Sequence, residues 1–365
     1  MNKITFLVKN IFNQGGDTRS VCILANRLAA EKNYEITILS LFKTRKTPLF
    51  ELNEDIRVFN FFEEPFSVRK NMINIQTKFK RYVEEHSIDF LIIEAIGFNC
   101  FTWRVLKKFP NIKTISVEHA SYADGGKIFG LAWFGRKIAG KYNDSIVVLT
   151  NRDKADYLQN IRKINRIEQI YNPLDESITN FSYDLNSKKI ITCGRFVKVK
   201  GYDYLIEVAD RIFAKHKDWE WHIYGSGEHL KEIKQSIEIK KLNNNIYLKG
   251  EVTDIYSRYK DYAFYVMTSR KESFGMVLIE ALQSGIPVIS FDCKNGPAEI
   301  IKQNVNGYLV SDFNVDEMVE KIEYLINNSD VRKKLAKNSL IGLDRFRLDN
   351  IVKEWIGLFE SLKRK

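Results

Sequence analysis

Two glutamates, Glu272 and Glu280, stand eight positions apart in the stretch TSRKESFGMVLIEA, residues 268–281. Carboxylates accept hydrogen bonds from hydroxyl groups, so the pair could hold a polyhydroxylated ligand at two points. The amides of residues 274–276 fall between them at a predicted helix start, where free N–H groups suit an anion. This order of groups matches a sugar, a pyrophosphate and a ribose. A simpler interpretation also stays open, in which Glu272 caps the helix and Glu280 is a solvated surface charge.

A second candidate is the loop of residues 194–201, which reads GRFVKVKG and lies between a predicted strand and a predicted helix. Its cations are Arg195, Lys198 and Lys200. Cations at a helix start oppose the helix dipole, and their presence makes sense if a diphosphate lies between them. Arg195 could bind such a group with two hydrogen bonds, and Lys200 could bind it as a point charge. An ordinary exposed loop is the alternative.

Two weaker candidates also follow predicted strands. The segment of residues 13–18 reads NQGGDT, and Gly16 within it would let the backbone approach an anion closely. The segment lacks the G-x-G-x-x-G pattern of dinucleotide-binding folds, and a plain Gly-Gly turn explains it equally. His119 ends the predicted strand ISVEH. Without further context, a histidine at this place is an ordinary turn or core residue.

Alternating strands and helices position these candidates. Short apolar runs predict strands at residues 4–9, 35–41, 57–61, 89–94, 113–118, 145–150, 166–171, 189–193, 220–224, 246–248, 263–268, 287–291 and 307–310. Helical patterns lie between them, for example at residues 17–32, 68–86, 98–108, 202–215, 228–240 and 274–283. Repeated strand–helix units predict parallel sheets covered by helices on both faces.

A polar stretch near residues 173–187 interrupts this alternation. The chain is therefore expected to form two Rossmann-like, doubly wound α/β domains that face a central cleft. Ligands of such sheets bind beyond the carboxyl ends of the strands. The predicted domains span residues 1–174 and 175–347. The last helix, at residues 348–365, is expected to cross back onto the first domain.

Composition limits the class of protein. The chain has 365 residues, of which 44% are hydrophobic and 28% charged, as in folded soluble proteins. It carries no apolar run of transmembrane length, and its start reads as a strand rather than a signal peptide.

The four cysteines show neither metal spacing nor a disulfide framework, which favours a reducing cytoplasm. The net charge of +11 suits phosphorylated ligands or anionic lipid. No nucleic-acid-binding signature accompanies it, and coding bias toward lysine explains the charge equally well.

Taken together, these motifs resemble the retaining glycosyltransferases of family four, which have the GT-B fold and an E-x7-E motif. The matching features are Gly15-Gly16, His119, Gly194-Arg195, Lys200-Gly201, the segment of residues 224–227 (YGSG), Glu272 with Glu280, the segment of residues 284–289 (SGIPVI) and the segment of residues 292–301 (DCKNGPAEII). The resemblance covers almost the whole chain, and it is more specific in the C-terminal half.

The resemblance implies a role for each candidate. Gly16 would contact the donor phosphate, Arg195 and Lys200 would neutralise the leaving nucleoside diphosphate, and His119 would lie beside the reacting sugar. Glu272 would hold the sugar and Glu280 the ribose. The donor site would comprise Gly16, Arg195, Lys200, Glu272, Ser273, Phe274, Gly275, Met276 and Glu280, and the catalytic set would be His119, Arg195, Lys200 and Glu272. Ser273 replaces a glycine of many relatives, which puts the fit of the donor sugar in doubt.

The resemblance also implies the reaction. The expected activity is retaining transfer of a hexose or an N-acetylhexosamine, most simply from a UDP-sugar, to a glycan acceptor in surface or capsular polysaccharide synthesis. No metal ion or other cofactor is expected. Two alternatives stay open, a nucleotide-sugar 2-epimerase with the same architecture and a non-catalytic transferase subunit. A nicotinamide dehydrogenase is disfavoured because the dinucleotide motif is missing.

The acceptor side is less specific. Residues 122–142 mix aromatic and basic side chains, and residues 69–81 add Arg69, Lys70, Lys78, Lys80 and Arg81. Basic residues beside exposed aromatics suit an anionic membrane surface. A lipid-linked glycan at the inner face of the cell membrane would explain this pattern, and nucleic acid is not an expected partner. A helix packed on the sheet with a solvated basic edge explains the pattern equally well.

Overall fold

The computed structural model describes residues 1–122, 129–174, 183–252 and 254–364. The chain divides into two compact units. Unit 1 comprises Met1–Pro173 together with Phe346–Lys365, and unit 2 comprises Leu174–Arg345. Among the described helices, none combines the length and the apolarity that crossing a bilayer requires.

Unit 1 is built on a parallel sheet of seven strands. Its strands are β1 (Asn2–Val8), β2 (Tyr34–Phe42), β3 (Arg57–Phe62), β4 (Phe90–Ile93), β5 (Lys113–Glu118), β6 (Ser145–Val148) and β7 (Ile167–Gln169), and its first helices are α1 (Gly16–Ala29), α2 (Met72–Glu85), α3 (Asn99–Leu106), α4 (Leu131–Tyr142) and α5 (Asn151–Asn160). The spatial order is β3-β2-β1-β4-β5-β6-β7. The order therefore reverses between β1 and β4, and a crevice for ligands forms at such a point.

Unit 2 repeats this plan with six parallel strands. Its strands are β8 (Lys189–Cys193), β9 (Glu220–Tyr224), β10 (Ile246–Gly250), β11 (Phe264–Met267), β12 (Val288–Phe291) and β13 (Gly307–Val310), and its helices are α6 (Tyr202–Lys215), α7 (Leu230–Ile239), α8 (Tyr256–Tyr259), α9 (Met276–Gln283), α10 (Pro297–Ile300), α11 (Val315–Asn327) and α12 (Ser329–Lys337). The spatial order is β10-β9-β8-β11-β12-β13, so the reversal lies between β8 and β11. The predicted pair of doubly wound parallel sheets is confirmed.

The last helix, α13 (Leu348–Lys363), packs within unit 1. The ring of Phe359 lies 4.8 Å from that of Phe90 and 5.8 Å from that of Tyr34. Aromatic pairs at this separation add to the stability that burial itself provides. Aromatic side chains therefore fix this helix against β2 and β4, the two strands that flank β1.

The strands and helices follow from where their apolar residues fall. Every residue of β11 and β12 is buried, as expected for central strands covered on both faces by helices. Helix α6 instead buries one face, through Leu205, Ala209 and Ile212 among others. These positions recur at the three- and four-residue spacing that places them on one side of a helix. The core of unit 2 forms where that face meets the sheet.

Strands β8 and β11 separate toward their carboxyl ends. Their backbones pair only at Ile190 and Ile191. Beyond that point side chains replace the ladder, because the Thr192 hydroxyl donates to the carbonyl of Val266 at 2.6 Å. The Tyr265 hydroxyl likewise donates to the carbonyl of Cys193 at 3.0 Å. The separation opens the sheet at the point where the strand order reverses, and the two loops that follow these strands carry most of the predicted site.

Candidate active site

The loop after β8 reaches the end of β11 because residue 201 is a glycine. Gly201 has a φ of +66°, a left-handed backbone conformation that residues other than glycine rarely adopt. A Cβ atom at this position would lie 2.0 Å from the carbonyl oxygen of Thr268. The glycine therefore permits a backbone approach that brings Lys200 beside the loop after β11.

Lys200 and Glu272, which were predicted from separate motifs, contact each other. The Lys200 ammonium lies 2.7 Å from Oε1 of Glu272, and the Ser269 hydroxyl donates to the same oxygen at 2.6 Å. The Glu272 side chain is only 9% exposed, and that of Lys200 is 21% exposed. An ammonium has three N–H donors, and a carboxylate has two oxygens. The pair can therefore bind phosphate through the remaining N–H groups and hydroxyls through the second oxygen without separating.

Arg270 fixes the two loops to each other, and sequence reasoning missed it. Its amide donates to the carbonyl of Val199 at 2.8 Å, and its guanidinium donates to the carbonyl of Lys198 at 3.1 Å. The guanidinium also forms two hydrogen bonds with the carboxylate of Asp203, at 2.7 and 2.5 Å, and these lower the pKa of Asp203. A bidentate pair of this kind fixes orientation as well as position. Arg270 therefore holds Lys200 close to Glu272.

Arg195 occupies the same loop, but its side chain is exposed. Within the described residues its guanidinium makes no hydrogen bond or ion pair, whereas Lys200 is paired with Glu272. The structure thus brings Lys200, but not Arg195, into contact with the predicted sugar-binding carboxylate. A solvated guanidinium can move toward a diphosphate at little cost, because it has no partner of its own to release.

The helix that carries Glu280 begins later than predicted. The apolar pattern predicts a start at Phe274, but α9 begins at Met276. The reason is Gly275, whose φ of +95° is incompatible with a helical turn. Phe274 is buried, and Ser273 and Met276 are partly exposed. The Tyr256 hydroxyl donates to Oε1 of Glu280 at 2.8 Å, so this carboxylate is tied into unit 2 rather than freely solvated.

Gly16 and His119 lie in unit 1, whereas the other predicted site residues lie in unit 2. Gly16 is the first residue of α1, and its carbonyl accepts a hydrogen bond from the Ser20 hydroxyl at 2.8 Å. His119 directly follows β5, and its Nε2 atom lies 2.5 Å from Oε2 of Glu94, which directly follows β4. Sequence reasoning missed Glu94, although an acidic residue at the end of the neighbouring strand was a usable signal.

A buried polar network supports the segment after β5. The Arg136 guanidinium pairs with the carboxylate of Glu118 at 2.7 Å and donates to the carbonyl of Ser121 at 3.1 Å. The Tyr157 hydroxyl donates to the same Glu118 carboxylate at 2.6 Å. The Asp153 carboxylate accepts from the amide of Tyr122 at 2.9 Å. Burial raises the pKa of Asp153 to about 6. The network fixes the backbone on both sides of His119.

No three His, Cys, Asp or Glu side chains converge in a metal-binding arrangement within the described residues. The four cysteines, Cys22, Cys100, Cys193 and Cys293, are free thiols. Burial raises the pKa of the Cys22 thiol to about 12 and that of Cys100 to about 11, so both are protonated at neutral pH.

Comparison with known proteins gives this arrangement a context. Residues 175–340 match the family described as "Glycosyl transferases group 1". An uncharacterized glycosyltransferase of Haemophilus influenzae is 29% identical over 358 residues, which cover 98% of this chain and 100% of that protein. The poly(ribitol-phosphate) alpha-N-acetylglucosaminyltransferase of Staphylococcus aureus is 32% identical over 67% of this chain and 49% of its own length. The chain thus matches about half of that second relative.

The fold also matches solved structures along its whole length. The structure of a mutant of S. aureus TarM in complex with fondaparinux, alpha-GlcNAc-glycerol and UDP has a TM-score of 0.80, with 99% of this chain and 100% of that chain covered at 18% identity. The predicted GT-B fold is confirmed. From its fold, its family match and its named relatives, the chain is a glycosyltransferase of the GT-B class.

Proposed function

We propose that this enzyme is a retaining glycosyltransferase that moves a hexose or an N-acetylhexosamine from a UDP-sugar to a glycan acceptor of a surface polysaccharide. The observation that carries this proposal is the contact of Lys200 with Glu272 at the separated ends of β8 and β11. A cation of the kind that binds phosphate here lies beside a carboxylate of the kind that accepts from hydroxyls, and this supports the proposal. The relatives support the choice of substrates, because one is named for N-acetylglucosamine transfer to a polymer and one structure contains UDP.

The proposed reaction needs little covalent chemistry from the protein. The bond between the sugar C1 and the diphosphate oxygen breaks, and a bond from C1 to the acceptor oxygen forms on the same face. The acceptor proton passes to the departing diphosphate. Lys200 and Arg195 would stabilise the negative charge that develops on that group, and Glu272 would align the sugar through its hydroxyls. Glu280 would hold the ribose, and Ser273, Phe274, Gly275 and Met276 would line the same donor site.

The proposed set also includes two residues of unit 1. Gly16 would contact the donor phosphate, and His119 would contact the transferred sugar. Because Lys200 and Arg195 supply the positive charge that a metal ion would otherwise provide, transfer is expected to continue in the presence of a chelator. His119 already has one partner, Glu94, in unit 1.

A substrate screen with product analysis tests this function. The enzyme is incubated with UDP-glucose, UDP-galactose and their N-acetyl forms, and UDP release is measured with and without a lipid-linked glycan acceptor. One of the four should give acceptor-dependent UDP release, and the anomeric proton coupling of the product should show the α-configuration of the donor. An inverted product would contradict retention. Conversion of the donor into its 2-epimer without transfer would favour the epimerase alternative.

A surface of unit 1 supports a lipid-linked acceptor. Phe129, two residues before α4, is 63% exposed, and Phe134 in the first turn of α4 is 43% exposed. The Lys137 ammonium lies 3.5 Å from the centre of the Trp133 ring. Ile73 on α2 is 83% exposed. Exposed aromatics beside lysines insert at the boundary of an anionic bilayer. Lys127 and Ile128, which belong to the same predicted pattern, lie outside the described residues.

Vesicle sedimentation tests membrane docking. The enzyme should sediment with phosphatidylglycerol vesicles and much less with phosphatidylcholine vesicles, because the basic residues supply the larger share of the binding. A Phe129→Ala/Phe134→Ala double variant should bind anionic vesicles more weakly while it keeps its turnover on a soluble acceptor. Equal recovery of wild type and double variant on anionic vesicles would contradict insertion of these two rings.

A further inference from the structure

Glu94 and His119 form a pair at the carboxyl edge of the sheet in unit 1. They directly follow two adjacent parallel strands, since Ile93 of β4 pairs with Ser116 of β5. Nε2 of His119 lies within hydrogen-bond distance of Oε2 of Glu94, at 2.5 Å, and a hydrogen bond to a carboxylate is stronger than one between neutral groups. The Glu94 side chain is 6% exposed and that of His119 is 15% exposed. A carboxylate this deeply buried is costly unless a cation or a hydrogen-bond donor satisfies it.

The pairing determines how the imidazole ring presents its two nitrogens. A carboxylate can only accept, so Nε2 carries a proton in the neutral ring. The other nitrogen, Nδ1, is buried and has no hydrogen-bond partner within the described residues. His119 and Glu94 line a cavity together with Ser20, Asn172 and Trp355. Nδ1 is therefore the polar atom of this ring that is left for a ligand.

The carboxylates around His119 also affect its pKa. Burial alone would lower the pKa of His119, but the hydrogen bond and the charge of Glu94 outweigh it and raise that pKa. The other charges that act on the ring are the more distant carboxylates of Asp17 on α1 and Glu118 at the end of β5. Glu118 already pairs with Arg136 and Tyr157. Glu94 is thus the carboxylate that directly controls the charge of the ring.

A structural role does not account for this pair. The backbone after β5 is already fixed by Arg136, which donates to the carbonyls of Ser121 and Tyr122, and by Asp153, which accepts from the amide of Tyr122. An apolar pair would fill the same space without burying a carboxylate. The buried ion pair is explained if the ring must be held in one orientation with one defined charge.

We infer that Glu94 is a positioning residue for the transfer reaction, which holds His119 through Nε2 so that Nδ1 meets an oxygen of the bound sugar or its diphosphate. This inference rests on the proposed function, because it assumes that His119 contacts the substrate. In the imidazolium form, Nδ1 donates a hydrogen bond to that oxygen. When the ring loses its proton, Nδ1 becomes an acceptor and the interaction with the oxygen is lost.

Two substitutions separate charge from orientation. Glu94→Gln keeps an acceptor for Nε2–H but removes the negative charge, and Glu94→Ala removes both. Glu220→Gln is the matched control, because Glu220 pairs with His222 at 2.8 Å at the opposite, amino-terminal edge of the sheet in unit 2. The readouts are the nitrogen chemical shifts of His119 across a pH titration of the free enzyme, the pH profile of kcat with a UDP-sugar, and the melting temperature.

The expected results differ for each variant. In wild type, neutral His119 should carry its proton on Nε2. Glu94→Gln should keep that tautomer but shift the titration of His119 to lower pH. The fall in kcat that accompanies deprotonation of His119 should move to lower pH with it. Glu94→Ala should mix the tautomers and lower kcat about 10- to 100-fold, as is typical when a supporting residue is lost. Glu220→Gln should leave the His119 titration and kcat unchanged.

Two results would overturn the inference. One is a titration of His119 that is the same in wild type and Glu94→Gln. The other is a Glu94→Ala variant that folds, transfers sugar at the wild-type rate and keeps the wild-type pH profile. The titration of the free enzyme does not depend on the donor: absence of UDP-sugar turnover in wild type would reject the proposed function, while the nitrogen shifts would still decide whether Glu94 controls His119.

Discussion

The ammonium of Lys200 lies 2.7 Å from the carboxylate of Glu272, which joins the loop after β8 to the loop after β11. These two residues were assigned from sequence to different parts of the donor, Lys200 to the diphosphate and Glu272 to the sugar. Their contact gives the proposed site a single charged centre. In the proposed site, a diphosphate at Lys200 would therefore meet a cation whose charge is already partly balanced, and Arg195, which is exposed, would supply the uncompensated charge.

Replacing these two cations should have different effects on stability. Lys200→Ala leaves Glu272 with the Ser269 hydroxyl as its remaining hydrogen-bond donor among the bonds described, and it should cost about 1–3 kcal/mol of unfolding free energy. Arg195→Ala removes an exposed side chain and should cost less than about 0.5 kcal/mol. Both variants should lose most of their turnover. Urea unfolding and UDP release with an acceptor measure the two quantities. A variant with wild-type turnover would remove that cation from the diphosphate site.

The backbone approach at Gly201 can be tested directly. Gly201→Ala places a Cβ atom 2.0 Å from the carbonyl oxygen of Thr268 at a φ of +66°. It should destabilise the protein by about 2 kcal/mol or more and should also raise the KM for the donor, because the loop with Lys200 must move.

The matched control is Gly357→Ala in α13, where a Cβ atom meets nothing within 4 Å. This change should be neutral or stabilise the protein by about 0.5–1 kcal/mol, since alanine favours a helix. If Gly201→Ala unfolded at the same urea concentration as wild type, the close approach at Thr268 would not exist in solution.

Arg270 should act on the donor site without contacting the donor. Arg270→Ala removes the bonds to Asp203 and to the carbonyl of Lys198, so Lys200 should lose its fixed position. The expected effect is a rise of roughly tenfold in the KM for the UDP-sugar. Arg270→Lys should rescue little, because an ammonium cannot replace the bidentate contact. Steady-state kinetics on both variants measure this, and full rescue by lysine would show that charge alone matters.

Replacing Asp153 with asparagine should stabilise the protein, and by more at high pH than at low pH. Burial raises its pKa from 3.8 to about 6, so the folded state favours the protonated acid. Below pH 3.8 Asp153 is protonated in both the folded and the unfolded state and does not lower the unfolding free energy. As the pH rises through 6, ionisation of the buried carboxyl lowers the unfolding free energy by up to about 3 kcal/mol. Asp153→Asn keeps an oxygen for the amide of Tyr122 and avoids the charge. Its unfolding free energy should exceed that of wild type at pH 8 by more than at pH 4.5. An equal difference at both pH values would contradict the raised pKa.

The architecture was largely predictable from sequence because it depends on local patterns. Apolar runs identified β5, β8, β9 and β13 with their observed bounds. The start of α9 was predicted wrongly, because an apolar pattern does not reveal that Gly275 adopts a left-handed conformation. Propensity and periodicity report the interior of an element better than its ends.

The site was predictable only where a motif or a strand end marked it. Lys200 and Glu272 were found as separate motifs, but their contact depends on Gly201 and on the separation of β8 from β11. Arg270 and Asp203 are far apart in sequence, so no local sequence pattern indicates that they pair. Glu94 could have been found by the reasoning that selected His119, since both lie at the carboxyl ends of predicted strands.

The measurement that tests the central claim most directly is calorimetric titration of UDP into wild type, Lys200→Ala and Lys198→Ala. The two variants lose the same charge from the same loop, but only Lys200 contacts Glu272. We predict that UDP binds wild type without added metal, that Lys200→Ala weakens binding at least about tenfold, which is about 1.4 kcal/mol, and that Lys198→Ala changes it about twofold or less. Equal affinity of the two variants, or no binding of UDP to wild type, would contradict the assignment of this sheet edge to the donor diphosphate.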